Sequence, residues 1–327
     1  MVVLGFLFTL LSTAFSVSAV RMLSGSESTS NAQAIKAPAA KLSNPFSDET
    51  FQIFYKLSIG FAVLTTFFSK TGNALRNPAQ SAYLLLTTLT AFLFGFRVQE
   101  KMEGKVVHPL VQCTLLTWVG SKIIGMLTGT SFKNVLKTFK TGSLSPMTGG
   151  AGDILLFLLG PTVVSFGWQM YNRSKLIKEN LKEVSTAVVT SSVGGLFGTA
   201  AAVRLLGILK PSLRLALISR NITSPLAIAI GSILEADISY AVTLVVISGL
   251  IGANSGASIL TQFKILDPVA RGLSIGAAAH GLGTAAFVNE KEAFPFSAVS
   301  MALTASLSTV LISIPAIRSL IVQIALG

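Results

Sequence analysis

Three short runs gather the residues through which this sequence can act on another molecule. SRNITSPLAIAIGS (219–232) places Arg220, Asn221, Thr223, Ser224 and Pro225 just inside an apolar block. GAAAHGLGT (276–284) crowds glycines around His280 and ends on Gly283 and Thr284, while GGAGDILLFLLGPTVVSFG (149–167) sets Asp153, Thr162 and Ser165 around a Gly-Pro step. Asn254 closes a nearby SGLIGAN run. The planar fork of an arginine suits a carboxylate, and a histidine can take up a proton close to neutral pH. Hydroxyls and amides beside interrupted helices, whose free N–H groups and positive dipole end attract anions, suit a small hydroxy acid. The expected substrate-binding residues are therefore Thr162, Ser165, Arg220, Asn221, Thr223, Ser224, Asn254, His280, Gly283 and Thr284. His280 and Asp153 are the candidates for proton coupling.

Each of these residues also has a purely structural reading. Arg220 can snorkel from a span end, and His280 can bridge two helices by a hydrogen bond. Asp153 can pair with Arg220 or a coupling ion, or cap the helix that follows Gly149-Gly150. Serine, threonine and glycine also serve close helix packing. Enzymatic signatures are absent: the chain has no HExxH, no phosphate-binding P-loop, no GxSxG and no GxGxxG. His108 and His280 are the only histidines and Cys113 the only cysteine, too few for a histidine-rich metal centre or a disulfide framework. The expectation is a non-enzyme without metal or cofactor.

The elements that must position these residues are membrane spans. Hydrophobic residues make up 51% of the 327 and charged residues 12%, about half the charge of a soluble domain. Apolar blocks fall at roughly 51–68, 80–96, 107–127, 151–171, 184–207, 213–234, 238–262, 268–288 and 296–325, most of them close to the ~17–25 residues a bilayer core demands. No period-two alternation marks a membrane barrel. The fold class is thus all-α, a polytopic integral membrane protein of eight or nine transmembrane helices with broken or re-entrant segments. The order of segments in 151–203 returns in 272–318, which suggests an internal repeat. Irregular backbone at membrane depth survives only where protein buries it or water lines it, so three interruptions point to an internal site. The net charge of +12 sits in short clusters between blocks, such as Lys133, Lys137 and Lys140. Such clusters meet lipid headgroups and do not form the basic face of a nucleic-acid binder.

Residues 1–47 read as a leader. The first twenty are signal-like, with Val17 and Ala19 fitting the small-residue rule of a cleavage point, or else an uncleaved anchor. Residues 20–47 are hydroxyl-rich and acid-poor, which fits a plastid transit segment or a disordered tail. Residues 48–327 then form the transmembrane domain.

The runs GDILLFLLGPTVVSF (152–166), ITSPLAIAI (222–230), LDPVARGLSIGAAAHGLGTAAF (266–287) and FPFSAVSMAL (294–303) resemble the LrgB/CidB family. The resemblance covers about 80–327 and is strongest after 150; it lies nearest the LrgB-like half of the plastid glycolate/glycerate translocators. It implies one of two roles. Plastid members exchange glycolate and glycerate across the inner envelope in photorespiration. Bacterial members are holin- or antiholin-like proteins that modulate permeability or cell-wall hydrolases. The leader favours the plastid branch, and with it small organic anions as partners, a multi-pass location in the inner envelope, and a homo-oligomer or a separate LrgA-like subunit.

Overall fold

The computed structural model describes residues 1–24, 47–101, 108–208 and 210–327, without the side chains at 100, 159, 162, 163, 166, 167, 169 and 170. Most of the transit-like segment therefore lies outside the described residues. The helices are α1 (Val2–Leu23), α2 (Asp48–Thr71), α3 (Arg76–Lys101), α4 (Pro109–Thr128), α5 (Phe132–Phe139), α6 (Ala151–Phe157), α7 (Leu159–Asn172), α8 (Ser174–Glu179) and α9 (Leu181–Val193). After a π-turn at Gly194–Gly198 come α10 (Thr199–Leu205), α11 (Pro211–Leu217), α12 (Ser224–Ile233), α13 (Ile238–Gln262), α14 (Pro268–Ala286), α15 (Phe294–Ser313) and α16 (Pro315–Leu326). Among the described residues there is no strand.

Among the described residues, seven helices are long and apolar enough to cross a membrane: α1, α2, Arg76–Gln99 of α3, α4, the continuous Leu181–Leu205 run, α13 and α15. The chain is a multi-pass helical membrane protein. The other expected blocks are the interrupted ones. Block 151–171 breaks at Leu158 into α6 and α7, 213–234 opens between α11 and α12, and 268–288 is α14 with a bend at His280. Block 296–325 splits at Pro315, where the ring removes an N–H donor.

The chain folds as two compact units, one of Lys41–Val164 and one of Met1–Ala40 with Ser165–Gly327. In the first, α2 starts where the Ser47 hydroxyl accepts from the Thr50 N–H and stops at left-handed Gly72, an arrangement that needs no Cβ. His108 caps α4, its Nδ1 accepting from the Leu110 N–H, and Pro109 occupies the first helical turn. Burial pushes the His108 imidazole below its usual pKa and so favours the neutral, accepting form. Helices α3 and α4 meet at Gly120, where a Cβ would lie 2.5 Å from Thr87 Cγ2 and where Tyr83 donates to the Gly120 carbonyl.

Asp153 takes the capping reading. Its carboxylate accepts from the N–H groups of Thr141, Gly142 and Gly150 and from the Thr141 hydroxyl, at 2.7–2.9 Å. It ties loop 140–150 to the start of α6.

The second unit is built around α1 and α14. Phe6, Leu10, Ala14 and Val17 of α1 are fully buried with Leu260, Leu273, Ile275, Phe287 and Val299. The signal-like first twenty residues of the expected leader are packed into this core. Small residues set the close approaches, the usual device where lipid offers no hydrophobic drive between helices. Gly252 and Gly256 of α13 receive Ala279 and Ile275 of α14, and Gly276 of α14 faces the Ser297 carbonyl of α15. Asp267 caps α14 by accepting from the Ala270 N–H at 2.8 Å. Arg271, at 0% exposure, donates bidentately to Glu290 at 2.9 and 2.7 Å and also to Thr261 and the Ile265 carbonyl. That arginine is paired on every nitrogen.

Candidate functional site

Two helix breaks come together in the second unit. Between α11 and α12 the chain runs Ile218–Thr223 without helical continuity, because Pro225 cannot donate and restricts the residue before it. Thr223 is the N-cap residue of α12, yet its side chain makes no capping bond and its buried Oγ1 has no partner. The second break is His280, which interrupts α14 with φ 42° and ψ −139°. Positive φ is costly for a residue with a Cβ and is held only where the surroundings enforce it. Asn221 joins the breaks: its Nδ2 donates to the Ala277 carbonyl at 3.3 Å, one turn before His280.

Each residue at this junction is buried for a visible reason. His280, 5% exposed, donates from Nε2 to the Val245 carbonyl of α13 at 2.9 Å, and Gly249 leaves room for the ring, since a Cβ there would lie 2.6 Å from Cε1. Thr284, one turn on, donates to the Ser297 carbonyl at 3.4 Å. Asn221 rests against the π-turn, where a Cβ on Gly195 would meet its amide at 2.9 Å. Single π-turns inside helices recur at functional sites. Thr199, just after that turn, and Ser300 of α15 also carry buried hydroxyls without partners.

Arg220 stands apart from Arg271. It is 1% exposed, and no carboxylate lies within ion-pair distance among the described residues. Its Nη2 donates to the Gly5 carbonyl at 2.6 Å and to the Thr9 hydroxyl at 3.2 Å, while Nε and Nη1 have no partner. It does not snorkel. A buried cation served only by neutral acceptors carries an uncompensated desolvation cost.

Arg220, Asn221 and Thr223 at the first break and His280, Gly283 and Thr284 at and after the second are all buried, with Ser224 half-buried at the start of α12. Asn254 is exposed on α13, two residues from both Gly252 and Gly256 and so on the opposite face. Ser165 is exposed on α7, and the side chain of Thr162 lies outside the described residues. Gly5, Thr9, Gly195 and Thr199 were not singled out by the sequence reading; the GGLFG run was the one local signal for the π-turn.

The other unit holds an open groove of about 1010 Å³ between α2, α3 and α4, lined by residues such as Tyr55, Ala62, Phe67, Phe94 and Leu116. Its walls are mostly apolar, with Ser58, Thr66, Lys70, Tyr83, Thr87 and Thr90 also lining it.

No solved structure matches the chain. Over 250 residues, 75% of its length, it is 37% identical to the plastidal glycolate/glycerate translocator 1 of Arabidopsis thaliana, and it spans about half (48%) of that relative. It is 28% identical over 236 residues to the holin-like protein CidB of Staphylococcus epidermidis and 25% identical to that of Staphylococcus aureus, covering 95% of each. Residues 88–317, which include both helix breaks and the π-turn, match the LrgB-like family, and the chain belongs to that family.

Proposed function

We propose that the chain is a carrier of small 2-hydroxy monocarboxylates, glycolate and glycerate, acting in the plastid inner envelope. The observation that carries this reading is Arg220, a fully buried guanidinium without an acidic partner, at the junction of two broken helices. A carboxylate entering there supplies the missing charge and accepts from the unpartnered donors, a pairing stronger than that with a neutral acceptor. The Asn221 amide, the unpartnered Thr223 hydroxyl and the open start of α12 offer donors and acceptors to the 2-hydroxyl group. His280, on a strained backbone between two arms of α14, is the proton-coupling candidate. The printed name of the Arabidopsis relative supports the solute class.

A second reading rests on the bacterial relatives. The 28% identity to the holin-like protein CidB of Staphylococcus epidermidis supports a permeability-modulating protein, alone or with a separate subunit. Purified protein in liposomes decides between them. The carrier reading expects saturable uptake of labelled glycolate, competed by glycerate and strongly reduced by Asn221→Ala or His280→Ala. Non-saturable leak of glycolate and unrelated solutes alike would support the holin-like reading instead.

A further inference from the structure

We propose that α1 is a displaceable plug of the Arg220 site, its Gly5 backbone holding the place a substrate carboxylate takes. The inference rests on the anion-site reading above. A guanidinium offers a carboxylate its Nε/Nη2 edge as a two-pronged fork. That edge is the one α1 covers: a Cβ on Gly5 would lie 2.1 Å from Nε and 2.5 Å from Nη2. Only glycine lets a helix backbone come so close. Yet the Gly5 carbonyl satisfies Nη2 alone and leaves Nε without a partner. Thr9, one turn on, adds a weaker bond to the same Nη2, and the Thr13 hydroxyl on the same stripe is buried with no partner. The helix fills the fork without completing it.

Beyond the apolar stripe of Phe6, Leu10, Ala14 and Val17, which is buried in the core, α1 makes two outer contacts. Phe8 lies against the π-turn glycines, 3.7 Å from a Cβ on Gly194 and 3.2 Å from one on Gly198. At the other end Arg21 pairs with Asp267, the cap of α14, at 3.1 Å, both side chains partly exposed. This ion pair, only partly exposed, latches a helix whose inner end blocks the site. Val17, in the cleavage-like pattern, is fully buried while α1 is docked, so a protease could read that pattern only on an undocked helix.

The test uses the full chain with Cys113→Ser and a reporter thiol at Ser219→Cys, a position 1% exposed beside Arg220. Labelling by a small charged methanethiosulfonate should be slow in this background and about tenfold faster once Gly5→Leu or Arg21→Gln is added, the change expected if the open population rises by that factor. Arg21→Gln changes only the latch and carries the test if Gly5→Leu does not elute as folded protein. In parallel, thermal stabilisation by added glycolate should grow in the same two variants and vanish when Arg220→Gln is combined with them. Equal labelling rates in all backgrounds would overturn the plug, even with glycolate stabilisation intact. Faster labelling with no response to glycolate would uphold the plug and remove the hydroxy-acid reading.

Discussion

Replacing Arg220 with methionine should make the protein more stable and less able to bind an anion. The guanidinium is 1% exposed, has no acidic partner and leaves two of its three nitrogens unbonded. Exchanging buried ionic groups for apolar ones of similar volume is neutral to stabilising by ~1–4 kcal/mol, and an arginine without a counter-charge belongs at the upper part of that range. Losing it strands nothing, because the Thr9 hydroxyl already donates to the Gly5 carbonyl at 3.0 Å. Methionine is shorter, and the gap takes back ~1 kcal/mol. The net gain is about 1–3 kcal/mol, which at ~2–4 °C per kcal/mol for a unit of this size raises the midpoint by roughly 2–12 °C. Removing a charge-assisted pair with the substrate, worth ~1.5–3 kcal/mol per bond, should cut saturable glycolate uptake by about tenfold to a hundredfold. Heating detergent-solubilised protein before size-exclusion chromatography gives the midpoint, and proteoliposomes give the uptake. A lower midpoint would mean that Arg220 is a structural pin. Unchanged uptake would remove it from the site.

Three further expectations concern the scaffold and use the same heating assay. Glu290→Gln leaves the fully buried Arg271 without its charge partner and should destabilise by about 3–5 kcal/mol, opposite in sign to Arg220→Met; equal effects would dissolve the distinction between the two arginines. Gly276→Ala puts a Cβ 2.1 Å from the Ser297 carbonyl oxygen, a backbone atom that cannot swing aside, and should cost roughly 3 kcal/mol. Gly60→Ala, with nothing within 4 Å, should be neutral or stabilise α2 by up to ~1 kcal/mol.

Much of this architecture was readable along the chain, because a bilayer imposes length and apolarity on any helix that crosses it. Five of the nine expected blocks are single helical runs, and the other four break at Leu158, just before Gly160-Pro161, and where Pro225, Pro315 and the glycines around His280 stand. Proline and glycine act on their own backbone, so their effect is local. Partners are not local. Arg220 and Arg271 look alike in sequence, each a lone arginine inside a largely apolar block. Arg271 finds a carboxylate 19 residues on, whereas Arg220 finds a carbonyl 215 residues back. Asn254 and Ser165 had the right chemistry, but helix rotation turns both outward.

The sequence by itself determined that the chain is helical, membrane-spanning and interrupted, and which short runs carry the interruptions, since hydropathy and backbone chemistry are properties of neighbours. Only the tertiary structure decided that the breaks at Asn221 and His280 meet, through a hydrogen bond spanning 56 residues. It also decided that Arg220 is buried without a counter-charge and that the first helix lies across it. Burial and pairing depend on what folds back against a residue, and no window of sequence contains that.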